Sequence, residues 1–599
     1  MNTRDVYRQL GQAFWRIVLV LLAGCGEDRR FVLDLTGSSP QALKGSERVN
    51  SAGFGGDLEV YPGETVVLDR ALDGKDLGDV VVHRGGTLQC LRGQQVAVRV
   101  HLESLRVMGR FLCGTSEERP IEGSYTFVLK SDANAGRVLV MGGGEIRVFG
   151  DSQRAARGTL YSPVNRSDEI TLNGRIDWVP GDRIAIAPTG FDFEEAEANS
   201  IAEVRFLNGP LRTRLTLEKP VTHGHFGAPD GYVEYLTSDG RSVRLHAPAD
   251  VVNLTRSVRF EADDSSSEDR PDFMVMEGGR AWLDGVEVSG FGRSGVMGRY
   301  PVHWHLGGDV TGQFIKNSSI HGSSNRCIVI HRTSNLEVRN NVCFDVRGHA
   351  FFLEEGTERG NSIVNNIAVL TRLPREGTHL LESERRESNQ PRRWAAPAAF
   401  WISHPDNDVR YNTAAGTEGT GFWMAFEERE LCSECLQPNP SLAPTDRFRF
   451  NVSRTARIGF TWDGAPGGQS ADNPRNQAGV ESFLGDRRLV STHYSPPRTP
   501  VFRNLEASKS LETAIYSRMD SAVFRRILTS DSGWHHFHAF NSRVEDSVLV
   551  GWGPAESGQT ELDRLAQAVR GRGHYGFVQY DGPFELERVH FQRFSSNQV

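Results

Sequence analysis

The sequence predicts an all-β fold, a right-handed parallel β-helix solenoid, and three observations carry that expectation. Glycine makes up 63 of 599 residues, above the ~7% usual in globular chains. Short β-branched runs recur between glycine-bearing turns, while long amphipathic helical patterns are scarce. An apolar residue closely followed by asparagine returns at Ile315-Lys316-Asn317, Val338-Arg339-Asn340-Asn341, Val364-Asn365-Asn366, Val409-Arg410-Tyr411-Asn412 and Phe448-Arg449-Phe450-Asn451. Asn317, Asn340 and Asn365 are 23 and 25 residues apart. A repeat of ~20–30 residues with one apolar face suits coils that bury their faces on each other. Asparagines stacked at the turns can hydrogen-bond along the column. A β-sandwich array is the alternative architecture.

With 38% apolar and 24% charged residues, the chain has ample material for a core and is too apolar for disorder. Its 68 basic and 76 acidic residues leave a net charge of -8, which argues against a general nucleic-acid binder. A strand-loop-helix glycine motif for phosphates is missing from the sequence, which sets nucleotide roles aside.

At the start, Arg4, Arg8 and Arg16 precede the apolar run 17–22, and Leu22-Ala23-Gly24-Cys25 follows, similar to a bacterial lipobox. The run is too short for a ~30 Å bilayer core, so residues 1–24 read as a lipoprotein signal peptide, with lipid on Cys25 and a polar tether over 25–48. Gly26 after the cysteine leans towards the outer membrane or cell surface. The other six cysteines, Cys90, Cys113, Cys327, Cys343, Cys432 and Cys435, suit disulfides in an oxidising compartment. Cys432 and Cys435 form a lone CxxC, read as a local disulfide or free thiols.

Strand-like runs begin at Leu58 to Asp69 and continue through Val80 to Val82 and Val96 to Val100. We divide the rest into a β-rich domain over 49–160, a β-rich connecting segment over 161–244 and the β-helix proper over 245–599. Polar insertions at 372–397, 427–445 and 463–500 are expected to wall a groove. One helix is expected over 561–570.

The chemistry is expected between Gly290 and Ala350, where seven basic residues face three acids and five of the 18 histidines lie: His303, His305, His321, His331 and His349. In Val302-His303-Trp304-His305 strand alternation sends both histidines to one face, a spacing that metal sites use. Aligning the ends of successive apolar strands stacks His305, His331 and Glu354, with His404 above them. A constant step of 22 residues would instead stack His305, Cys327 and His349, with His303, Asn325 and Arg347 alongside. His303, His305, His331 and Glu354 can hold a divalent cation, calcium or zinc, or act as a general acid and base pair. Arg299, Lys316, Arg326, Arg332, Arg339 and Arg347 offer a stripe for the carboxylates of an acidic sugar chain. Trp304, Trp401, Trp423 and Trp462 read as core, with sugar stacking as the other use.

These same residues carry a resemblance. Residues 300–310, Ser319-Ile320-His321, Asn325 to His331 and Gly348 to Glu354 resemble the cell-surface hyaluronidase family, which takes in the cell migration-inducing hyaluronan-binding proteins and has fibrocystin-like relatives. Leu58 to Asp69 with Gly109 to Thr115 is similar to that family's eight-glycine domain, and Trp178 to Ala187 to its connecting segment. Phe577 to Phe584 looks like a late coil. The resemblance implies a pectin-lyase-like right-handed β-helix, an extracellular setting, and hyaluronan or a related glycosaminoglycan as ligand, with calcium a candidate. Pro271-Asp272-Phe273-Met274 departs from the Gly-His pair of relatives, and His404 stands where asparagine is expected.

The function expected is therefore a surface-anchored protein that binds and cleaves hyaluronan or a similar acidic polysaccharide, as a glycosidase or a lyase. The alternative is a non-catalytic polysaccharide-binding or adhesion lipoprotein. As a hydrolase it would draw its carboxylates from Glu354, Glu355 and Asp309, with His303, His305 or His331 as proton carriers or metal ligands. As a lyase it would use Arg299, Arg326 and His331 against the developing anion. Arg299, Lys316, Asn325, Arg347 and His349 are the expected substrate contacts.

Overall fold

The computed structural model describes residues 56–594 except 92–94, 152–153, 208–210, 238, 382–383, 385–396, 427–439, 463–493, 520, 540 and 552–574. The expected signal peptide, tether and lipid site at Cys25, the Cys432/Cys435 pair, the helix expected over 561–570 and most of the polar insertions lie outside the described residues.

Asparagine makes the coil possible. Between the third strand of one coil and the first of the next, the backbone N–H of Asn341, Asn366 and Asn412 donates to the Oδ1 of Asn366, Asn412 and Asn451 at 3.0, 2.9 and 3.0 Å. Each side-chain amide also donates to a strand carbonyl, as Asn366 Nδ2 does to Val338 O at 2.9 Å. These buried asparagine groups therefore find their partners on neighbouring coils. The preceding position takes a left-handed conformation at Asn317, Asn340 and Asn365, which asparagine tolerates better than most residues.

The strands on either side stack in parallel. Ile315, Val338, Ile363, Val409 and Phe448 are successive partners in a 14-stranded sheet, and all are buried. A 25-stranded sheet holds the other two strands of each coil. Its two stacks fuse where Thr413–Met424 runs through the corner and pairs with both Ile367–Arg372 and Ala398–Ile402. Inside, Phe351, Phe400, Phe422 and Phe460 stack at centroid separations of 4.6, 4.6 and 4.9 Å. This is the parallel β-helix that the sequence predicts.

The expected division of the chain changes in one respect. Arg137–Val140 pairs in parallel with Asp272–Val275, and Glu145–Phe149 with Arg280–Asp284. Ser124–Leu129 likewise pairs with Val258–Ala262. Hydrogen-bond ladders do not break between 149 and 258, so the β-helix starts at Leu58 rather than 245, and the expected domain over 49–160 supplies its first coils. What lies between is an insertion built on a six-stranded sheet with antiparallel pairing that takes in Arg157–Thr159, Glu169–Asn173 and Asp250–Asn253. Its Arg183 pairs with the buried Glu287 of the β-helix, and Arg157 donates to Asn365 Oδ1 at 2.7 Å. Two disulfides, Cys90–Cys113 and Cys327–Cys343, brace the coils.

Candidate functional site

Strand parity builds the site. In Val302–Asp309, Trp304 points into the main core with Ile330 and Leu353 of the next coils. His303 and His305 take the opposite face. There His303 stands in a column between Met274 of the preceding coil and Val329, Phe352, Trp401 and Trp423, the last four belonging to an apolar cluster that also includes Leu381. His305 stands directly opposite His331, and Glu354 follows Leu353, the partner of Ile330. The strand-end register is thus the one adopted. The 22-residue register is excluded, because Cys327 is bonded to Cys343 in the core and does not pair with His305.

Ligand nitrogens of His303, His305 and His331 all lie within 4.8 Å of one another. Glu354 Oε2 is 4.0 Å from His303 Nε2 and 3.8 Å from His331 Nδ1. The remote nitrogens are occupied: His303 Nδ1 is 3.3 Å from the Gly298 carbonyl, and His331 Nε2 is 3.0 Å from Glu355 Oε1. With its proton on the remote nitrogen, His303 turns its inner lone pair to the centre of the cluster, and a cation there would displace the inner proton that His331 carries as an imidazolium. Arg332 holds Glu355 in turn, with Nε 2.6 Å from Oε2. Glu358 is buried and accepts from the backbone N–H of Arg332 and Gly356 at 2.9 Å each, which fixes the turn carrying Glu354 and Glu355.

Burial, with His305 and His331 alongside, holds His303 well below the ordinary imidazole range. Burial and the His331 charge lower His305 to about 4. Burial also pulls His331 down, but Glu354 and Glu355 outweigh it and raise the ring to about 9. For Glu355, burial is outweighed by His331 and Arg332, which bring it to about 2. At neutral pH two neutral imidazoles therefore face one imidazolium held by carboxylates.

Three imidazoles suit a catalytic zinc, which takes three protein ligands at ~2.0–2.2 Å and keeps a fourth position for water, while the Glu354 carboxylate lies beside His303 and His331. Nitrogens on a tetrahedral zinc sit about 3.3 Å apart, so side-chain adjustment within the 4.8 Å span suffices. Calcium, which calls for six to eight oxygens, does not fit this donor set.

The other expected residues have different places. Asp309 is exposed and accepts from Thr311 and from Asn335 Nδ2 at 3.0 Å, capping its own turn. Arg326 is fully buried, pairs with Glu384 and lies 3.8 Å above the Phe352 ring, so it braces the wall behind the cluster. His349 is buried against Phe352, accepts from Ala398 N–H at 2.8 Å and is lowered by burial to about 3. Asn325 is buried, donating to the Arg293 and Val296 carbonyls at 2.8 and 2.9 Å. Arg299 pairs with buried Asp272, Lys316 with Glu337 at 3.0 Å on the other sheet, and Arg347 donates to the Leu373 carbonyl at 2.9 Å. The basic stripe is therefore answered by the protein's own acceptors. His404 accepts from Asp406 N–H at 3.0 Å within its own loop and stays out of the cluster. His321 pairs with Glu287 at 3.0 Å. The four tryptophans are buried core.

Two residues were not singled out in the sequence. The Tyr300 ring meets His303 edge to face at 4.9 Å, and Arg326 lies 5.6 Å from its centre. Tyr300 stands in the same motif as His303, which is the signal that marks it. Glu384 comes from a polar insertion with no periodicity, and only the buried Arg326 makes sense of it.

A family model for the CEMIP β-helix matches residues 272–460. These residues are therefore similar to the CEMIP β-helix. Fibrocystin-L of Mus musculus is 29% identical over 61% of this chain and 9% of its own length. Cell surface hyaluronidase CEMIP2 of Homo sapiens is 26% identical over 71% of this chain and 34% of its own. The cell migration-inducing and hyaluronan-binding protein of Mus musculus is 25% identical over 93% of this chain and 41% of its own. The chain thus spans less than half of these relatives. His303, His305, His331, Glu354, Tyr300 and Arg326 all fall inside the residues that the family model matches.

Proposed function

We propose that this is a cell-envelope protein that binds and cleaves hyaluronan or a related acidic polysaccharide at the histidine cluster, with zinc held by His303, His305 and His331. The observation that carries the reading is the pair of outer contacts, Gly298 on His303 and Glu355 on His331, which turn the inner nitrogens towards one point. Relatives bearing the name cell surface hyaluronidase support the substrate class. Lipid on Cys25 is the proposed anchor.

Bound zinc would supply a Lewis acid and an activated water. The chain does the rest. Glu354, beside His303 and His331, is placed to take a proton from attacking water and return it to the leaving oxygen. Glu355 and Arg332 keep the His331 ring from turning. Tyr300 and Phe352 close the inner side against water.

The test is a size-exclusion profile of hyaluronan and of chondroitin after incubation with purified protein, with and without chelator, beside His303→Ala/His305→Ala. Fragments that disappear with chelator and in the variant support the reading, and ultraviolet absorbance of the fragments separates elimination from hydrolysis. Intact polymer on every substrate, with binding retained, overturns cleavage in favour of an adhesion protein.

A further inference from the structure

The outer corner of the β-helix carries a column of left-handed residues, one per coil. It reads Asn317, Asn340, Asn365, Tyr411, Phe450, Asn504, Arg526 and Asp546, with φ between 49° and 60°. Asparagine is the ordinary occupant. Asn340 Nδ2 donates to Asn317 Oδ1 at 2.6 Å and Asn365 Nδ2 to Asn340 Oδ1 at 3.1 Å, so each member supports the next. At two coils this local rule is broken by aromatic residues, for which positive φ is unfavourable. Neither is used in packing the core. Tyr411 is 46% exposed and Phe450 37%, and their rings lie parallel, 4.8 Å apart with 10° between planes.

The pair floors a groove of about 810 Å³ between the β-helix corner and the hairpin formed by Val233–Leu236 and Ser242–Leu245 of the insertion. Four arginines line it, Arg157, Arg241, Arg244 and Arg526, against two carboxylates, Glu506 and Asp546. Arg526 is exposed, and among the described residues no ion pair engages its guanidinium. Arg244 reaches Glu234 only at 3.9 Å, and both side chains are more than half exposed. Tyr232, 46% exposed, adds a third ring to the lining.

The geometry points to a second glycan-binding site here, in which Tyr411 and Phe450 stack on sugar rings and Arg526 and Arg244 take the carboxylates of a uronate-bearing oligosaccharide. Flat exposed rings offer the apolar faces of pyranoses a surface that aliphatic side chains cannot. A guanidinium fork matches a carboxylate. The site sits at the turn leaving the 14-stranded sheet, whereas the histidine cluster sits on strands of the other sheet, so it does not depend on the reading of that cluster.

The decisive variant is Tyr411→Asn/Phe450→Asn, which removes the rings and restores the residue that suits the backbone. Its thermal midpoint should equal or exceed that of the parent. The full chain is studied with chelator present, using a hyaluronan octasaccharide and a neutral malto-octaose as probes. Hydrogen exchange is followed over 408–412, 447–452 and 524–528, and separately over 302–309. The hyaluronan probe should slow exchange in the first three segments, the neutral probe should not, and the double variant should need about tenfold more probe for the same protection. Arg526→Ala should lose affinity for hyaluronan as well. Absence of protection in the groove, equal protection by malto-octaose, or full protection in the double variant would each overturn the proposal. Exchange over 302–309 reports the histidine site alone, so either reading can fail without the other.

Discussion

His305 and His331 face each other across adjacent coils with their Nδ1 atoms 3.0 Å apart, so one proton must lie between two lone pairs. A cation would replace that proton and satisfy both rings at once. Zinc titrated into chelator-treated protein should therefore bind at one ion per chain. Removing His305 should weaken binding by more than about 100-fold, since even outer contacts of ligands are worth ~10–100-fold. Glu355→Gln, which keeps the shape but loses the charge behind His331, should fall in that smaller range. Competition against a chromophoric chelator measures both, and equal affinity for all three proteins would remove zinc from the site.

Arg326 and His305 separate scaffold from chemistry. Arg326→Met leaves the Glu384 carboxylate buried without its cation, and breaking such a pair costs about 3–5 kcal/mol. His305 is partly exposed and outside the core, so His305→Ala should cost about 1 kcal/mol or less while abolishing the proposed depolymerisation. Denaturant midpoints beside activity decide this. A stable, inactive Arg326→Met would assign that guanidinium a part in the chemistry instead.

The insertion is fastened by a charge with a definite pH window. Burial would raise Glu287, but His321, Arg183 and Arg259 bring it down to about 2. A depressed carboxyl contributes its stability above the unfolded value, near 4.3, and loses it as the pH falls towards 2. The contribution at pH 7 is about 3 kcal/mol. Glu287→Gln should thus be markedly less stable than the parent at pH 7 and much closer to it at pH 3, by thermal or denaturant midpoint. A difference that is the same at both pH values would show that packing, rather than charge, holds Arg183 there.

What could be read in advance was whatever repeats. The asparagine at each corner recurs because each coil must satisfy the same backbone groups, so Asn341, Asn366, Asn412 and Asn451 are visible as a pattern. His303 and His305 are visible because strand parity is local. Their meeting with His331 and Glu354 needed only the alignment of strand ends. The insertion between 149 and 258 was hidden, since nothing in Glu145–Phe149 says that its partner lies at Arg280–Asp284. Glu384 was hidden for a similar reason, as its burial depends on an arginine 58 residues earlier. Tyr411 and Phe450 stood in the repeat, but which face they took is decided by the turn's handedness, and that is not a matter of apolar spacing.

A second asparagine column joins the scaffold to the site. Asn361 is fully buried: its Oδ1 accepts from Leu336 N–H at 2.9 Å, and its Nδ2 donates to the Thr333 carbonyl at 3.1 Å, two residues beyond His331. Its own N–H donates to Asn407 Oδ1 at 2.9 Å on the next coil. Asn361→Ala strands a buried donor and a buried acceptor, each costing about 1–3 kcal/mol, so a loss of about 3 kcal/mol is expected. Because the Thr333 end of the His331 strand loses its tether, zinc affinity should also fall, by about tenfold. Asn361→Asp keeps the acceptor and loses the donor, and should separate the two effects: Leu336 stays held while Thr333 does not. If stability falls in Asn361→Ala while zinc affinity is unchanged, then Glu355 and the turn capped by Glu358 suffice to hold His331, and the ladder serves the fold alone.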